Sequence, residues 1–122
     1  MTDSSPGAGV QTSSASDTST ASGSDTSMTL AALQDVIERT YGLRDRSRGV
    51  STSVAWLCEE VGELAQAIRK GTPAQQRHEF ADVVAWVVSL ANQMDVDLAE
   101  AVNGRYAAGC PRCGTIPCSC PM

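Results

Sequence analysis

Residues 52–88 read TSVAWLCEEVGELAQAIRKGTPAQQRHEFADVVAWVV, and this stretch decides the fold. In its first half, Val54, Leu57, Val61, Leu64 and Ile68 recur at steps of three and four, one face of a helix running from about Thr52 to Lys70. Gly71 follows the last turn. Thr72-Pro73-Ala74-Gln75 then supplies an N-cap, a proline at the first helical position and a glutamine that closes a capping box. A second helix therefore starts there and runs to about Met94, with Phe80, Val84, Val87, Ala91 and Met94 facing inward. The two form an antiparallel helical hairpin turning at Gly71.

On the N-terminal side, Thr29 is an N-cap for a helix from about Leu30 to Tyr41, with Leu30, Leu33, Ile37 and Tyr41 as its stripe and Gly42 as its end. A polar loop from Leu43 to Gly49 follows, carrying Arg44, Asp45, Arg46 and Arg48. On the C-terminal side, Asp97 with Glu100 starts a short helix reaching about Tyr106, with Leu98 and Val102 inward. No segment alternates with period two, so the reading is all-α, a four-helix-bundle-like domain over residues 28–107. Residues 1–27 are almost all Ser, Thr, Gly, Ala and Asp and are expected to be a disordered leader. Residues 108–122 form a cysteine-rich tail.

A formal net charge of −5 argues against a nucleic-acid polymer as partner. The longest apolar stretch, around Val83 to Ala91, is too short to span a membrane. With no export signal visible, the expectation is a cytoplasmic protein with reduced thiols.

Glu60 and Glu63 share one face of the first hairpin helix, and Glu79 and Asp82 share one face of the second, because residues three apart lie about 60° apart around the axis. Folding at Gly71 pairs residues equidistant from it: Glu60 with Asp82, Glu63 with Glu79, Trp56 with Trp86. Four carboxylates that close repel unless their protons return or a cation binds. An all-oxygen donor set points to Mg²⁺ or Mn²⁺. The plain alternative is a solvated acidic face, which explains each acid alone but not two matched pairs. Trp56 and Trp86 read as a stacking wall for a nucleobase or as core packing; both readings stand.

These residues resemble the MazG-type all-α nucleotide pyrophosphohydrolases. Glu59-Glu60-x-x-Glu63 followed by Glu79-x-x-Asp82 is similar to that family's signature, and Asp82-Val83-Val84-Ala85-Trp86 looks like its second metal helix. The resemblance implies Mg²⁺-dependent hydrolysis of nucleoside or deoxynucleoside triphosphates to monophosphate and pyrophosphate. It implies Glu60, Glu63, Glu79 and Asp82 as metal ligands and Glu59 as a residue that orients water or holds a further ion. It also implies a phosphate contact from a basic residue after the last helix, for which Arg105 is the match, and a homodimer or homotetramer. Arg105 read alone is an ordinary surface arginine, and the loop of Arg44, Arg46 and Arg48 reads either as a solvated charged loop, the favoured reading, or as a further phosphate contact. The alternative to an enzyme is a non-catalytic helical module that dimerises and docks a partner through its cysteine tail.

That tail holds Cys110-Pro-Arg-Cys113 and Cys118-Ser-Cys120, a spacing that suits a structural Zn²⁺. An iron–sulfur cluster and a free reduced tail are the alternatives. Cys58, inside a helical pattern, is expected to be a buried apolar residue, and the single His78 a surface residue directed away from Asp82; one histidine does not make a di-iron site.

Overall fold

Four helices follow one another in the computed structural model, which describes residues 27–122: α1 Leu30–Arg48, α2 Val50–Lys70, α3 Pro73–Gln93 and α4 Leu98–Tyr106. No strand occurs among the described residues, and the chain is all-α as expected. The leader reading for residues 1–26 lies outside the described residues. The caps are those read from local sequence. Thr29 Oγ1 accepts from the Ala32 N–H at 3.0 Å. Thr72 and Gln75 exchange both bonds of a capping box. Asp97 accepts from the Glu100 N–H at 3.0 Å.

α1 differs from its expected length. It does not stop at Gly42 but continues to Arg48, so the expected charged loop is two further turns of helix. Glycine costs a helix only about 1 kcal/mol, and tertiary contacts here outweigh it. Asp45 is 3% exposed and accepts the Ser89 hydroxyl from α3. Arg48 Nη2 lies 3.3 Å from the other Asp45 oxygen. Glu38 and Arg46 pair across the buried Gly42, where a Cβ would stand 2.7 Å from the Glu38 carboxylate. α1 ends at Gly49, whose φ of 85° favours glycine and whose N–H donates to the Asp45 carbonyl at 3.0 Å. That one residue is the whole connection to α2.

α2 packs most extensively on α3, and α3 next on α1. The contact that seats α4 runs through Gln34. Its amide donates to Asn92 Oδ1 at 3.0 Å and to the Val96 carbonyl at 2.9 Å, and its Oε1 accepts the Leu98 N–H at 2.8 Å. At the hairpin turn, Gly71 has an ordinary φ of −89°, yet a Cβ there would lie 2.7 Å from the Ala67 carbonyl oxygen and 2.8 Å from its Cα. Backbone cannot swing aside as a side-chain tip can. Gly71→Ala is expected to cost about 1–3 kcal/mol, read as a lower urea midpoint at unchanged slope. An unchanged midpoint would mean the turn yields freely.

The buried apolar side chains are Ile37, Ala67, Val88 and Ala91. Much of the expected inward stripe is not buried in this chain. Val54, Val61 and Ile68 on α2 are exposed, as are Phe80, Val84, Val87 and Met94 on α3 and Val102 on α4. The reason is geometric: α2 turns its Ser53 and Ala67 edge toward its neighbours, so small and polar groups take the tightest places. Gln93 Nε2 donates to the fully buried Ser53 Oγ at 3.0 Å. A helix of this amphipathic kind has a stripe wider than one neighbour can cover.

Candidate functional site

Trp56 and Trp86, equidistant from Gly71, stack with ring centroids 5.9 Å apart and planes 6° from parallel. That contact sets the register of α2 against α3. In this register Glu60, Glu79 and Asp82 bring carboxylate oxygens within 4.8 Å of one another. All three residues are half-buried. Glu60 Oε2 and Glu79 Oε2 are buried with no hydrogen-bond partner. Burial, and then the charges of Glu63, Asp82 and Glu79, hold the Glu60 carboxyl above its ordinary range.

Buried carboxylate oxygens without donors are costly, and like charges within a few ångströms add to that cost. Among the described residues no lysine or arginine pairs with Glu60 or Glu79. Three converging oxygen donors with orphaned lone pairs fit a hard divalent cation.

Glu63 stands beside this trio rather than within it. It is exposed and lines a groove with Gln66, Lys70, Gln75 and Glu79. Glu59 is exposed on α2 and outside the cluster. His78 is exposed as expected, but its Nε2 lies 3.1 Å from Asp82 Oδ2, since four residues along a helix returns to the same side. The expectation that His78 points away from Asp82 is corrected: residues four apart lie only about 40° apart around the axis.

A cleft of about 230 Å³ opens beside Asp82 between α1 and α3. Tyr41, Asp45 and Arg48 line it from α1, and Asp82, Trp86 and Ser89 from α3. The Arg48 guanidinium lies 5.4 Å from the centre of the Trp86 ring, a cation–π contact. Trp56, 42% exposed, lines the adjoining groove with Leu43, Arg44 and Arg48. Reading residues 43–49 as a loop concealed Asp45, while Arg48, one of that loop's candidate phosphate contacts, lines the cleft with Asp82. An acid embedded in a run of arginines was the signal that could have marked Asp45.

Arg105 is not among the residues of the Asp82 cleft. It lines a separate groove with Ala101, Gly104 and the first cysteine turn, its guanidinium 5.7 Å from the Tyr106 ring. Cys58 is exposed rather than buried, because among the described residues none covers its side of α2. The four tail cysteines come together, with Sγ atoms within 4.8 Å of one another. Hydrogen bonds with Thr115 and then Ser119 hold the Cys113 thiol down at about 5, and the crowd of Cys118, Cys113 and Cys110 holds Cys120 up at about 11.

Fold and cluster together define an all-α domain with an acidic centre compatible with a divalent metal. Residues 48–107 match the model of the MazG nucleotide pyrophosphohydrolase domain, the family that the sequence resembles. The family points to nucleotide pyrophosphohydrolase activity in general. No curated protein matches the chain. No helix among the described residues is long and apolar enough to cross a membrane.

Proposed function

We propose that the chain hydrolyses nucleoside or deoxynucleoside triphosphates to the monophosphate and pyrophosphate, using Mg²⁺ or Mn²⁺. The observation that carries this reading is the convergence of Glu60, Glu79 and Asp82, with two buried carboxylate oxygens lacking any donor. These three residues would hold the cation, with Glu63 at the rim completing its sphere directly or through water. When bound, the metal offsets charge on the phosphate oxygens and helps activate water for attack on phosphorus. Glu59, exposed next to Glu60, serves to orient that water or a further ion from outside the cluster. His78 Nε2, 3.1 Å from Asp82 Oδ2, stands where it would orient the oxygen that remains free.

The α1–α3 cleft has room for a nucleobase rather than for a whole nucleotide. Trp86 and Arg48 form one wall of it, and Trp56 backs Trp86. Trp86→Ala is expected to raise KM about five- to a hundredfold, with kcat falling much less, since base stacking is worth about 1–3 kcal/mol. Steady-state kinetics check this. An unchanged KM would return the tryptophans to a packing role.

The exposed row Val54, Val61 and Ile68 is where we place a second copy of the chain, making a homodimer or homotetramer. Arg105 would then reach phosphate across that assembly, since it lies outside the cleft of its own chain.

The test is to incubate the purified chain with Mg²⁺ and a panel of ordinary and modified triphosphates and separate the products. Monophosphate plus pyrophosphate supports the proposal and names the substrate. No turnover by folded, metal-supplied protein would favour the docking module instead.

A further inference from the structure

The tail lies beyond the family-matched segment, and its cysteines are a cluster separate from the acidic centre. We propose that Cys110, Cys113, Cys118 and Cys120 form a mononuclear tetrathiolate zinc site that closes the tail against the end of α4.

The sulfur geometry is the main argument. Cys110 Sγ and Cys120 Sγ are 3.8 Å apart, Cys113 Sγ and Cys118 Sγ are 3.9 Å apart, and all four lie within 4.8 Å of one another. A tetrahedron with zinc–sulfur bonds of about 2.3 Å has edges of about 3.8 Å. All four cysteines are free, and these separations are far beyond a sulfur–sulfur bond. An iron–sulfur cluster distributes its thiolates over several irons, which holds them farther apart than the edge of one tetrahedron.

The backbone is shaped around the sulfurs. The Gly114 N–H donates to the Cys110 carbonyl at 2.7 Å, and the Cys110 N–H to the Thr115 carbonyl at 3.2 Å. Gly109 has φ of 98°, and a Cβ on it would meet the Thr115 carbonyl oxygen at 2.8 Å, so the chain doubles back where glycine alone fits. The Ser119 N–H points to Cys113 Sγ and the Cys120 N–H to Cys118 Sγ, each at 3.4 Å. Such donors orient thiolate ligands and disperse their charge.

No apolar core holds this segment: Ile116 is 80% exposed. α4 is itself only nine residues long and buries none of them. The Gly109 N–H donates to the Tyr106 carbonyl at 2.9 Å, and Arg105 shares a groove with Cys110, Pro111 and Gly114. Closing the thiols on one ion therefore steadies the last turn of α4 and the arginine on it. On binding Zn²⁺ the thiols still protonated release their protons to solvent, so that all four ligands are thiolates. With four sulfurs the shell is full, so the ion is structural and has no place for substrate.

The experiment uses the full chain loaded with Zn²⁺. A thiol reagent should modify the four tail cysteines only after a chelator is added. Zinc should bind one per chain, persist in Glu60→Gln, and be lost in Cys113→Ser/Cys118→Ser. Co²⁺ alone, added to the metal-free native chain, should give thiolate-to-cobalt charge transfer and intense tetrahedral visible bands. The cobalt spectrum needs no variant, so a misfolded substitution leaves the proposal testable. Fast modification of the four tail thiols in zinc-loaded protein, a cobalt spectrum without thiolate bands, or iron in place of zinc in the purified chain would each overturn it.

Discussion

Replacing Asp82 with asparagine is expected to lower kcat/KM about a thousandfold while leaving helical content unchanged. Asp82 supplies one of the three converging carboxylates, and its Oδ2 is already engaged by His78 Nε2 at 3.1 Å. Asparagine keeps the shape and removes the charge, so the cation loses both affinity and position. A bound metal contributes several kcal/mol of stabilisation to developing phosphate charge, and a loss of about 4 kcal/mol is about a thousandfold in rate. His78→Ala, which only frees Asp82 to turn, should cost about tenfold. A second readout is independent of turnover. Mg²⁺ at about a hundred times its Kd should stabilise the native chain by about 2.7 kcal/mol, seen as a higher melting temperature, and Asp82→Asn should abolish that rise. Full activity in this variant would remove Asp82 from the site, and with it the proposed metal centre.

The second large effect is on stability. Asp45→Ala is expected to destabilise the chain by about 3 kcal/mol, because it strips partners from a buried polar set. Asp45 is 3% exposed and Ser89, which donates to it, is 4% exposed. Arg48 would lose its carboxylate at 3.3 Å while still lying over Trp86. The last two turns of α1 depend on this anchor, so helical content should fall along with the urea midpoint. Asp45→Asn, which retains an acceptor for Ser89, should cost less than Asp45→Ala. Equal midpoints for the native chain and Asp45→Ala would show that the α1 extension is held by something else. Both variants should also raise KM, since Arg48 lines the cleft beside Asp82.

Sequence alone determined the hairpin, its turn and its register. The signals for these all lie on the two helices and the turn between them: the stripe of α2, the Thr72 capping box, and the equal distances of Glu60 and Asp82 or Trp56 and Trp86 from Gly71. Local spacing likewise placed the four tail cysteines together, because a chain of eleven residues has few ways to part them. Tertiary structure decided the rest. It carried α1 through Gly42, since Asp45 found a buried partner in Ser89, forty-four residues away in the chain. It separated Glu63 from the trio of Glu60, Glu79 and Asp82, since a shared helical face does not fix how deep each carboxylate sits. It built the cleft from α1 and α3, which no local pattern joins. It also left Val54, Val61 and Ile68 in the open, since periodicity reports which residues share a face and burial depends on what else is packed against it.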